Sequence, residues 1–86
     1  MEIKISNKAA KEYRKLDVVT KQRILTGIEG LTETPPKGDI KAMQGYSDGT
    51  RRLRIGKYRI VYKVTAGQND DILYIMDIGS RGEIYK

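Results

Sequence analysis

Glu2, Ile3, Lys4 and Ile5 alternate polar with apolar, the period-two pattern of a short half-buried strand. From Ser6 the period changes. Ala9, Ala10, Tyr13 and Leu16 recur at helical spacing, with Lys8, Lys11, Arg14 and Lys15 around the other side, and Ser6 or Asn7 can cap this helix. Asp17 suits the cap of a second helix, whose apolar positions are Ile24, Leu25, Ile28 and Leu31. Gly27 and Gly30 weaken it by about 1 kcal/mol each against alanine. Thr34-Pro35-Pro36-Lys37-Gly38 ends it. Ile40 to Gly49 reads as a connector within one domain.

The next segment is the most informative. Arg52 to Ile55 and Tyr58 to Val64 are strand-like runs separated by Gly56-Lys57, a two-residue loop with glycine first that suits a type II′ hairpin turn. Such a turn sets Ile55 opposite Tyr58, Arg54 opposite Arg59, Leu53 opposite Ile60 and Arg52 opposite Val61. One face then carries Leu53, Ile55, Tyr58, Ile60, Tyr62 and Val64 and must cover the helices. The other carries Arg52, Arg54, Arg59 and Lys63. Two arginines directly across a strand pair repel by a few tenths to about 1 kcal/mol. A chain seeking only solubility would interleave Glu or Thr there, so the arrangement points to an anion site. Ile72 to Ile78 is apolar on both parities except at Asp77 and reads as a central strand, entered through the turn residues Gly67 to Asp71. Asp77 can pair with an arginine of the basic face or sit in water at the strand end. The pattern predicts an α+β fold. Its core is a twisted, mostly antiparallel four-stranded sheet, with two N-terminal helices packed on one face and a basic groove on the other.

Composition narrows the chemistry. The 86 residues, at 38% apolar and 33% charged, make one domain spanning 1–86. Histidine and cysteine are absent, which excludes a disulfide framework, a Cys/His zinc site, a cysteine nucleophile and a histidine general base. No metal site and no cofactor are expected. Catalysis, if present, runs on Asp, Glu, Lys, Arg, Tyr, Ser or Thr. The longest apolar run, Ile72 to Met76, is far short of the roughly 20 residues of a membrane helix. Neither a leader nor a membrane partner is expected, and the expected location is the cytoplasm. The net charge is +6, and Arg51 to Lys63 holds six basic residues with no acidic one. The excess is therefore focused on one stretch, as an anionic partner requires.

The stretch Gly45-Tyr46, then Arg52 through Tyr62, then Ile78-Gly79-Ser80-Arg81-Gly82-Glu83-Ile84-Tyr85, resembles the RelE/ParE superfamily of toxin–antitoxin toxins. Tyr58-Arg59-Ile60-Val61-Tyr62 is the most specific piece. The resemblance implies one of two activities. RelE-type members are ribosome-dependent endoribonucleases that cut messenger RNA, whereas ParE-type members inhibit DNA gyrase by binding, without chemistry of their own. On the RelE-type reading, Arg59 matches the strand arginine that contacts the scissile phosphate, Arg81 the C-terminal arginine and Tyr85 the catalytic tyrosine. Arg52, Arg54, Lys57 and Lys63 are the RNA- and phosphate-binding candidates. The implied partners are a cognate acidic antitoxin, the ribosome and messenger RNA. Ser80 stands where many relatives have histidine, which removes one acid or base.

Attack by the RNA's own 2′-hydroxyl needs removal of that proton, stabilisation of a charged phosphorane and help for the departing 5′-oxygen. Fixed guanidiniums meet the second need and match phosphate oxygens bidentately. Neighbouring positive charge favours phenolate, which makes Tyr85 beside Arg81 a credible base. Arginine holds its protons tightly, so the leaving-group role is the hardest to fill. Tyr58 and Tyr62 lie on the helix side by register and read as core.

Overall fold

The computed structural model describes residues 1–43 and 49–80. The described elements run β1 (Glu2–Ile5), α1 (Asn7–Arg14), α2 (Val18–Gly30), β2 (Asp39–Ala42), β3 (Arg51–Ile55), β4 (Tyr58–Thr65) and β5 (Ile72–Ser80). They form one five-stranded sheet in the order β1-β5-β4-β3-β2. The β2–β3, β3–β4 and β4–β5 pairs are antiparallel, and β1 lies parallel to β5. No described helix is long and apolar enough to cross a membrane.

Both helix caps are as the sequence indicates. Ser6 accepts from the Ala9 N–H (3.0 Å) and Asp17 from the Thr20 N–H (3.3 Å), each satisfying a donor of the first turn. Ala9, Ile24, Ile28 and Leu31 meet Leu53, Ile60, Tyr62, Leu73, Ile75 and Ile78 in a single core, with Tyr13, Leu16, Ile40, Ile55 and Tyr58 at its margin. Leu25 is turned outward and exposed. The hairpin register is the one the two-residue turn dictates: Ile55 opposite Tyr58, Arg54 opposite Arg59, Leu53 opposite Ile60. Gly56 has φ +58°, a conformation that L side chains rarely adopt and that a primed turn demands of its first residue.

Two differences from the sequence expectation have physical causes. The sheet has five strands, not four, because Asp39–Ala42 pairs with β3 where a connector was expected. Gly38, at φ +127°, turns the chain so closely over Leu53 that a Cβ would lie 2.5 Å from its Cδ1, and the four residues after it fall on the β3 edge. The second difference is an irregularity between Val61 and Tyr62. Val61 opposes Asp77 but Tyr62 opposes Ile75, so Met76 is an extra residue in β5. This bulge lets Ile75 and Ile78, three apart, both enter the core. It explains why Ile72 to Ile78 shows no clean alternation. The bulge is tied to the start of α1, because Ser6 N donates to Ile75 O (2.9 Å) and Ser6 Oγ to Met76 O (2.8 Å).

Candidate phosphate-binding face

Cross-strand partners share a face, so the register assembles the surface opposite the helices row by row. Asp39, Arg54, Arg59 and Gly79 form one row across β2, β3, β4 and β5. Lys41, Arg52, Val61 and Asp77 form the next, and beyond the bulge Lys63, Tyr74 and Lys4 form a third. Arg52, Arg54 and Arg59 thus converge at mid-sheet, with Gly79 contributing no side chain beside Arg59. Arg59 and Arg52 are only 7% and 6% exposed although both helices pack on the other face. Arg54 is the more open of the three.

Asp39 contacts two arginines of this cluster, and the sequence reading missed it. Arg54 Nε donates to Asp39 Oδ2 at 3.2 Å. Arg52 Nη1 lies 3.6 Å from Asp39 Oδ1 and donates to the Asp39 backbone carbonyl at 3.1 Å. The hydrogen bond from Arg54 is the largest influence on the Asp39 carboxyl and, helped by the charges of Arg52 and Arg54, holds it below its ordinary range although desolvation opposes them. The available signal was the alternation Asp39-Ile40-Lys41-Ala42 directly after a glycine, of which the connector reading from Ile40 absorbs the last three residues.

The remaining sequence candidates scatter. Lys63 shares the face but lies one row beyond Val61. Lys57 sits in the hairpin turn with its Nζ 5.5 Å from the centre of the Tyr58 ring, lining a cleft of about 280 Å³ with Lys15 and Ser80 on the helix side of the sheet. It is not brought to the arginine cluster. Arg51 has the parity of Leu53 and faces the helix side, where it opposes Tyr62, whose phenol burial pushes above its ordinary value. Asp77 pairs with Lys8 of α1 (3.1 Å), so of its two sequence readings neither the arginine partner nor open water applies. Arg81, Tyr85 and Tyr46 lie outside the described residues.

A family model described as the ParE toxin of type II toxin–antitoxin systems, parDE, matches residues 3–85. The chain belongs to that family. The toxin's fold is that of the wider RelE/ParE superfamily. It is similar to the YoeB/ParE toxin from Agrobacterium tumefaciens at TM-score 0.78 and 18% identity, covering 94% of this chain and 99% of that one. It is also similar to the RelE of two archaeal complexes. In the RelB–RelE antitoxin–toxin complex from Methanococcus jannaschii the TM-score is 0.74 at 24% identity, over 95% and 94% of the two chains. In the RelE–RelB complex from Pyrococcus horikoshii OT3 it is 0.72 at 27%, over 95% and 96%. Among curated proteins no sequence matches the toxin.

Proposed function

We propose that the toxin is a ribosome-dependent endoribonuclease that cuts messenger RNA by attack of a 2′-hydroxyl on the adjacent phosphate. The observation that carries this reading is the mid-sheet cluster in which Arg54 faces Arg59 with Arg52 in the neighbouring row. Three guanidiniums on one face cost repulsion and desolvation, and a phosphorane, with more negative charge than the ground-state diester, is the species that such a preset field stabilises most. Arg59 contacts the scissile phosphate, and Arg52 and Arg54 hold the flanking backbone. Lys63, one row beyond Val61, extends the positive field to a more distant phosphate, a role that Lys57 on the helix side does not share. Tyr85, with its phenolate favoured by Arg81, takes the 2′-hydroxyl proton. The 2′-oxygen bonds to phosphorus and the P–O5′ bond breaks. The departing 5′-oxygen, its charge held by Arg81, takes a proton from solvent water to leave a 5′-hydroxyl and a 2′,3′-cyclic phosphate, while Tyr85 returns its proton to solvent. The reaction uses no metal. It takes place in the cytoplasm, where a cognate acidic antitoxin covers the basic face, as the RelB of the two archaeal complexes accompanies its RelE.

The test is primer extension on transcripts from induced cells, with end-group analysis of the products. The expected result is in-frame cuts with 5′-hydroxyl ends that require ribosomes. A 5′-phosphate end excludes 2′-hydroxyl attack. A second reading draws support from the family match, which is described by ParE, and from the similarity to a YoeB/ParE toxin. On that reading the same face binds gyrase without chemistry. Intact messages together with DNA damage on induction would select it.

A further inference from the structure

We infer that Asp39 is a positioning residue of the arginine cluster, fixing two guanidiniums before any phosphate arrives. The inference rests on the nuclease reading and adds to it a residue that contacts no reacting atom. Asp39 is the first residue of an edge strand, placed by the forced turn at Gly38, and it stands in register with Arg54. Its two carboxylate oxygens are divided between the arginines. Oδ2 accepts from Arg54 Nε, and Oδ1 lies 3.6 Å from Arg52 Nη1, which also donates to the Asp39 carbonyl. One residue thereby fixes a rotamer of each neighbour, and an arginine held through Nε keeps its outer nitrogens in a set direction. Arg54 is bonded to β2 through Asp39, while Arg59 stands across from Arg54 on β4. Asp77, the other acidic residue in these rows, is engaged by Lys8 and does not share the task.

This role has an unusual signature, because removing a carboxylate makes the face more positive. Non-specific attraction to RNA depends on net positive charge and does not fall. Productive orientation does fall, and small misplacements of a charge donor are costly in turnover. The experiment compares Asp39→Asn, Asp39→Ala and Asp39→Glu with the parent toxin on programmed ribosomes, with hydrogen exchange of the Arg54 Nε–H followed by NMR. Asn and Ala are expected to lower kcat about tenfold or more, leave KM unchanged or lower, and speed exchange at Arg54 Nε. Glu is expected to restore part of both, and thermal unfolding identifies any variant that has simply lost its fold. An Asn variant that folds and either cuts at the parent rate or exchanges at the parent rate overturns the inference. A parent toxin that does not cut overturns the nuclease reading instead. The Arg54 exchange rates then decide on their own whether Asp39 orders the face.

Discussion

Arg59 and Ile60 are neighbours in β4, at 7% and 0% exposure, and they point to opposite faces of the sheet. Hidden almost equally from water, they have opposite energetics. Burying Ile60 among Leu53, Ile78 and the helices stabilises the fold by roughly 1.5–3 kcal/mol. Placing Arg59 beside Arg54 strips water from a charge and sets it across from a like charge, two costs that Ile60 does not carry. The apolar face supplies stability against which the charges of the other face are held. Burial alone therefore does not identify a structural residue; the chemistry of what is buried does.

Two substitutions one residue apart separate the faces most sharply. Ile60→Ala opens a cavity in the core and is expected to lower stability by about 2–5 kcal/mol, read by chemical denaturation, while on the nuclease reading toxin that remains folded cuts at nearly the parent rate. Arg59→Met keeps the length of the side chain and removes the charge. Its melting temperature is expected to fall less than that of Ile60→Ala, while on the nuclease reading single-turnover cleavage falls by about 10²–10³. If Met at 59 destabilises as much as Ala at 60, the two faces do not divide the labour as stated here.

Smaller changes refine the comparison. Gly27 lies in α2 where a Cβ would overlap Ile55 Cδ1 and come within 3.3 Å of Leu53 Cδ2. Gly27→Ala gains helix propensity of about 1 kcal/mol but forces those side chains aside at about 1–3 kcal/mol. A net loss of stability near 1 kcal/mol with unchanged cleavage is expected. Ser6→Ala removes the α1 cap and the bond to the bulge at Met76, and should cost about 1–2 kcal/mol in urea unfolding. The smallest effect is on pH. The Thr20 hydroxyl and then the Thr20 N–H hold the Asp17 carboxyl below its ordinary value of 3.8. The folded state thus binds this proton less readily than the unfolded chain. Its contribution is complete above the unfolded value and fades as pH falls through the lower folded value. Melting curves from pH 5 down to pH 2.5 should show a decline that Asp17→Asn makes shallower.

Much of this was legible in the sequence because single residues forced it. Gly56-Lys57 fixed the hairpin register, and through it the opposition of Arg54 and Arg59 and the inward set of Tyr58 and Tyr62. Ser6 and Asp17 marked both helix starts. What escaped depends on contacts between distant segments. Asp39–Ala42 is a strand only because β3 offers an edge, and Asp39 acquires its role only from arginines thirteen and fifteen residues later. The bulge at Met76 masks the period of β5, and nothing local announces it. Lys57 belongs to the basic run in sequence, yet the turn carries it to the helix side. A charge count along the chain does not report faces.

The parallel pairing of β1 with β5 has a consequence for synthesis. Glu2 aligns with Ile72 and Ile5 with Ile75, so the first strand to leave the ribosome finds its partner only when the last described strand has been made. Its loop closure is long-range, and such pairings come late in folding. β5 also lies between β1 and β4, and it supplies Leu73, Ile75 and Ile78 to the core. Without it neither helix has a completed surface to pack on. At about 5–20 residues added per second, the nascent chain spends seconds as an incomplete sheet, its arginines made but not yet held in rows. The toxin's own topology thus delays assembly of the sheet that carries the basic face until β5 has been made.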